Sequence, residues 1–194
     1  MLKFNELKTA QASAYLLYKA GGTMHHIKLM KLLYLADRLS WLERDCAISG
    51  DTYYSLPYGP VLSKTLDLIR GETLNHIPTI WEEWVSDKEN HQVSIAKQVD
   101  ENDEYFWSEL SFSDTDILER IFNKYGHFDR FELVELTHDP RYVPEWEDPK
   151  GKAKPITLDK LLTHLGKSKA HIKAIFDEHA EKERINNLFR ASEW

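Results

Sequence analysis

The chain has 194 residues, 42% of them hydrophobic and 12% aromatic, with a formal net charge of −7. That is enough apolar material to bury one substantial core, while the lone cysteine, Cys46, excludes an intramolecular disulfide framework and a cysteine-based zinc site. No stretch approaches the roughly 18 apolar residues of a membrane span, and the amino-terminal MLKFNELKTAQ lacks a continuous apolar segment, so a soluble, cytoplasmic protein is the expectation.

The first predicted helix is NELKTAQASAYLLYKA, with Leu7, Ala10, Ala14, Leu17 and Tyr18 on one face and Gly21-Gly22 as its terminator. Thr23 is placed to cap the second, KLMKLLYLADRLSWLERD. There, Ile27, Met30, Leu33, Tyr34 and Trp41 recur at helical steps, and further leucines widen the stripe until most of the surface is apolar. Such a helix belongs at the centre of a fold. The segment ISGDTYYSL then turns to β-favouring residues around Gly50-Asp51, a pair suited to a tight turn. Tyr58-Gly59-Pro60 bends the chain, Pro60 suits the first residue of the helix continuing as VLSKTLDLIR, and Gly71 ends it.

Beyond Gly71, IWEEWV and QVSIAK read as two strands of a hairpin, which would put Trp81 and Trp84 on opposite faces, one in the core and one exposed. Ser113 and Asp116 have capping-box spacing ahead of a helix carrying Ile117, Leu118, Ile121 and Phe122 and ending at Tyr125-Gly126. Asp129 and Glu132 cap the next, with Phe131, Leu133, Val134 and Leu136. The link HDPRYVPEWEDPKGKAKP holds four of the seven prolines and reads as a draped loop anchored by Tyr142 and Trp146. Thr157 begins another helix and Ser168 a last one. Its Ile172, Ile175, Phe176, Ile185, Leu188 and Phe189 form a stripe that is either packed or left for a partner.

Charge is polarised along the chain. Residues 100 to 119 carry eight acidic side chains and no Lys or Arg, whereas residues 149 to 173 carry seven lysines against Asp159 alone. The first run could steer a basic partner and the second could touch phosphate or an acidic surface, though charge runs are more often solvated faces. The overall negative charge and the lack of a recognisable reader helix argue against a nucleic-acid partner.

Catalytic motifs are missing: there is no Walker loop, G-x-G-x-x-G, H-E-x-x-H or G-x-S-x-G. His25 and His26 are adjacent and would diverge on a helix. His171 and His179 lie two turns apart, too far for one metal. His138-Asp139 is the best acid/base candidate, and His127, His138 and Asp139 could in principle hold a metal. The simpler reading is a helix-end histidine serving backbone carbonyls beside Pro140. No cofactor or metal is expected. The positive signal is aromatic: Tyr53, Tyr54, Tyr58, Trp81 and Trp84 fall in or beside predicted hairpins and are the candidate partner-binding residues.

The ordered set Lys31-Leu32-Leu33-Tyr34-Leu35-Ala36-Asp37, Tyr58-Gly59-Pro60-Val61 and Leu133-Val134-Glu135-Leu136-Thr137-His138, followed by Trp146 and a helix from Ile156, resembles the Panacea domain of SocA-like antitoxins. The resemblance spans roughly residues 5 to 165. It departs at Leu56-Pro57, over 72 to 112, and after Gly166. It implies a mainly α, single-domain helical bundle with small antiparallel β-hairpins over 1–166, and a helical extension over 167–194. Within it, Lys31, Leu33, Tyr34, Asp37, Gly59, Pro60, Thr137, His138 and Trp146 would be structural motif residues. It further implies a non-enzymatic antitoxin that binds a toxin encoded by a neighbouring gene. The alternatives are an adaptor delivering the toxin to a Clp-type protease and a His-dependent hydrolase centred on His138.

Overall fold

A computed structural model describes residues 3–72, 79–86 and 89–191. Parts of the expectations for 72–112 (at 73–78 and 87–88) and for the tail (at 192–194) lie outside these residues. The fold is mainly α, as expected: among the described residues eight helices surround two small antiparallel sheets.

Helix α2 (His26–Arg44) runs through the middle, and Leu29, Leu32, Leu33, Tyr34 and Trp41 are all buried along it. Its nearly all-round apolar surface explains this position, because several neighbours must cover it. Helices α1 (Glu6–Lys19), α5 (Phe112–Tyr125) and α6 (Arg130–His138) pack against it. Their caps follow from local chemistry. Asn5 accepts the Lys8 amide, and Asp129 with Glu132 forms the expected capping box. The box at α5 uses Ser111 and Asp114, the same spacing as Ser113 and Asp116 but two residues earlier. Thr23 does not cap α2: it lies in β1 (Thr23–His25), and the cap is His25, whose ring accepts the Ile27 amide.

The hairpin is β2 (Tyr53–Leu56) and β3 (Gly59–Leu62), closed by Pro57-Tyr58 rather than Gly50-Asp51. Pro60 therefore sits in a strand and not at a helix start. β3 is the edge of a sheet ordered β3-β2-β5, with β5 spanning Lys154–Ile156, and an edge strand tolerates a missing N–H. Helix α3 begins at Ser63 and ends on left-handed Gly71. Its amino terminus is capped at long range: the Asp51 carboxylate accepts the Lys64 amide at 3.0 Å, the Thr65 amide at 2.9 Å and the Thr65 hydroxyl at 2.8 Å.

The expected 80–97 hairpin is corrected in half. Residues Ile80–Trp84 form a short helix, α4, packed on α1, and the helical period puts positions three apart on one face. Trp81 and Trp84 are thus both buried, Trp84 within an aromatic cluster with Phe106 and Trp107. The second segment does form a strand, β4 (Gln92–Ser94), but it pairs with β1.

Helix α7 (Leu158–His164) starts at Thr157 as expected, and α8 (Lys169–Ala191) follows. Ile172 and Ile175 are buried, and His179 packs on the Trp41 ring. Ile185, Leu188 and Phe189, further along, are exposed. Among the described residues no helix is long and apolar enough to cross a membrane.

Candidate functional site, a braced hairpin beside a basic groove

The residues of the ordered motif converge behind the hairpin. Lys31 is 1% exposed, and its ammonium donates to the Pro60 carbonyl at 2.7 Å. Burial lowers its pKa to about 7. Gly59 has φ +93°, and a Cβ there would stand 2.7 Å from Thr137 Oγ1 and 2.8 Å from Lys31 Nζ. Only glycine fits both the backbone and the space. Thr137 is itself buried, and its hydroxyl donates to the Leu133 carbonyl.

Asp37 accepts the amides of Ile48 (2.9 Å) and Ser49 (3.1 Å), the Ser49 hydroxyl, and the Tyr53 hydroxyl at 3.0 Å. Burial nonetheless raises its pKa, because desolvation outweighs these donors. The Trp41 indole donates to the Tyr53 hydroxyl at 2.9 Å. Beside this chain, Tyr34 donates to fully buried Glu145 at 2.8 Å, and Arg38 pairs with the same carboxylate at 2.7 Å. Trp146 donates through its indole to the Leu56 carbonyl, and the ring of His138 stacks on it at 4.0 Å between centroids. Leu33 fills the core beneath. The contacts of Lys31, Asp37, Trp41 and Trp146 bear directly on one object, the β2–β3 hairpin.

The hairpin tip forms one wall of a groove of about 640 Å³. Buried Met30 and Val61, with half-buried Leu56, Leu66 and Val134, make its apolar floor. Tyr58, 64% exposed, and Phe131, 58% exposed, stand at the rim. Lys31, Arg70, Arg130, His25, His26 and His91 supply its polar lining. The three imidazoles stack, with centroid separations of 4.8 to 5.9 Å. The expected divergence of His25 and His26 fails because His25 is an extended cap residue, not part of the helix. Burial, then the charges of His26, Arg130 and His91, lower the His25 pKa to about 4, so its ring is neutral near pH 7.

Of the five aromatic candidates, Tyr53, Trp81 and Trp84 are core residues, Tyr54 is half-buried and Tyr58 is exposed. Alternation explains part of this: Tyr53 and Ser55 face inward, so Tyr54 and Leu56 lean outward. The possible metal cluster does not form. His127 meets Phe128, His138 meets Trp146 and Asp139 pairs with Arg141, and among the described residues no group of three such side chains could hold a metal. His138 does not serve backbone carbonyls; its Nε2 is buried without a hydrogen-bond partner among the described residues, and burial followed by the Lys31 charge lowers its pKa. The lysine run is partly neutralised, with Lys154 and Lys160 on Glu147 and Lys167 on Asp45. Sequence reasoning missed Glu145, Asp51, His91, Arg70 and Arg130, which acquire their roles only through long-range packing.

What fold and site define together is a mainly α domain that presents a rigid hairpin and a groove. The family model described as "Antitoxin SocA-like, Panacea domain" matches residues 29–147, and the chain belongs to this family. No curated protein and no solved structure shows significant similarity to the chain.

Proposed function

We propose that this protein is the antitoxin of a toxin–antitoxin pair and neutralises its toxin by direct, stoichiometric binding, without catalysis. The observation that carries the reading is the use of the motif. Lys31, Asp37, Gly59, Thr137 and Trp146 are spent on bracing one hairpin, whose tip at Tyr58 stays exposed beside the groove. A rigid, partly apolar surface recognises a partner without losing much conformational entropy on binding. The interface is centred on Tyr58 and the outer face of Tyr54. The carboxy-terminal part from 167 onward is an extension of the 1–166 domain, and its exposed Ile185, Leu188 and Phe189 can widen the contact.

The test is co-expression with the toxin encoded beside it, scoring growth and co-purification in a fixed ratio. Wild type should rescue growth and form the complex, and Tyr58→Ala should weaken both without lowering the melting temperature. Rescue without a complex, or dependence of rescue on a Clp-type protease, would replace direct binding by delivery to proteolysis.

A further inference from the structure

The groove reverses the charge of the chain around it. The protein carries 32 acidic residues and a net charge of −7, yet among the described residues no Asp or Glu lines this groove, whose exposed cationic side chains are Arg70 and Arg130, with the buried Lys31 ammonium behind them. Both guanidinium groups are exposed. Arg70 makes a long contact with Glu72 at 3.8 Å and acts at a distance on Asp67, and Arg130, which acts on the neighbouring Asp129, lies over the Phe131 ring at 4.5 Å. Lys31 uses one of its three N–H donors on the Pro60 carbonyl, and the others have no acceptor among the described residues. Below the two rim arginines the floor is aliphatic, formed by Met30, Val61, Leu66 and Val134.

A good occupant must meet two conditions. It must bring negative charge to the rim, where Arg pairs with carboxylate in bidentate geometry, and it must bury an apolar group on the floor. A nucleic-acid strand meets the first, and Tyr58 and Phe131 at the rim offer it aromatic faces, but the aliphatic floor between them gives a base nothing to stack on and favours an apolar side chain. We propose that the groove receives an acidic, apolar segment of the toxin chain, with Asp or Glu side chains on Arg70 and Arg130 and the neighbouring apolar side chain inserted between Tyr58 and Phe131. This rests on the antitoxin reading above and names the site at which that reading acts.

The test is the binding of the purified toxin, and of overlapping peptides spanning it, to wild type and to the Arg70→Glu/Arg130→Glu double variant at low and moderate salt. Both arginines are exposed, so the double variant should melt as wild type does. It should bind the toxin about tenfold or more weakly, chiefly through slower association, and lose most of the salt dependence. The peptide that wild type retains should carry Asp or Glu beside an aliphatic or aromatic residue, and replacing that acid by Arg should restore binding to the double variant. Unchanged affinity of the double variant for intact toxin would overturn the groove and leave the antitoxin reading standing. Failure of wild type to bind the toxin at all would overturn both. Retention of a single-stranded oligonucleotide by wild type, but not by the double variant, would make the groove a nucleic-acid site and also overturn the proposal.

Discussion

Replacing Lys31 by methionine should change the pH dependence of stability more than stability itself. The ammonium is 1% exposed, and its pKa falls from the ordinary lysine value of 10.5 to about 7 in the folded protein. Between those values the unfolded chain binds more protons than the folded one, so the stability of the wild type rises with pH across that window. Below about pH 7 both states are protonated and the penalty is complete. At 1.36 kcal/mol per pH unit of displacement, burying this group costs about 5 kcal/mol near pH 6, where it stays charged, and about 2 kcal/mol near pH 9, where it gives up its proton on folding. Methionine keeps a flexible stem of similar length and carries no charge. It also leaves the Pro60 carbonyl without its donor, a loss that does not vary with pH. Subtracting the two proteins removes the titrating groups that Lys31 does not influence; His138, whose pKa the Lys31 charge lowers, is released in the variant and shifts the balance in the same direction, so the stability of Lys31→Met relative to wild type should be about 3 kcal/mol more favourable near pH 6 than near pH 9. Urea unfolding of both proteins at the two pH values measures this directly. Parallel pH profiles would show that Lys31 titrates as an ordinary lysine, and the account of its burial under the hairpin would be wrong.

Other expectations follow from the same contacts. Gly59→Ala should destabilise the fold by about 2 kcal/mol or more, since the new methyl meets Thr137 Oγ1 and Lys31 Nζ at under 3 Å and the backbone is left-handed; thermal melting reads the loss. Tyr53→Phe removes the hydroxyl shared by Trp41 and Asp37 and should cost about 1 to 3 kcal/mol, whereas Tyr58→Ala should stay within about 0.5 kcal/mol of wild type in the same unfolding assay. Asp114 is buried, and Lys8, Arg44 and Ser111 outweigh desolvation to lower its pKa to about 2 from 3.8. Its contribution, about 2 kcal/mol, is present above about pH 4 and disappears as the pH falls toward 2. Arg44→Met should therefore flatten acid unfolding in that range.

The parts of the fold legible in the sequence were those written in local periodicity and capping. The central helix announced itself through its apolar width, and Gly71, Gly126, Asp129 and Thr157 marked helix ends where the structure places them. Residues 80–84 were not legible as a helix, because five residues carry little period and two tryptophans three apart suit either reading. Pro60 pointed to a helix start by the usual preference, and only the edge position of β3 makes it a strand residue. The site was half legible. Tyr58 and the motif residues stand out in sequence, but Glu145 becomes the partner of Tyr34 and Arg38 across more than a hundred residues. Likewise His91 reaches His25 and His26 only because β4 pairs with β1.

Direct contact between the proposed toxin and the hairpin-and-groove face is the claim on which the rest depends, and hydrogen exchange of this protein with and without the product of the neighbouring gene tests it most directly. Toxin binding should slow exchange at the hairpin tip around Tyr58 and at the first turn of α6 around Arg130 to Val134, with the buried centre of α2 unchanged. Protection confined to α8 or to residues 79–112, or no protection anywhere while growth is still rescued, would contradict the account.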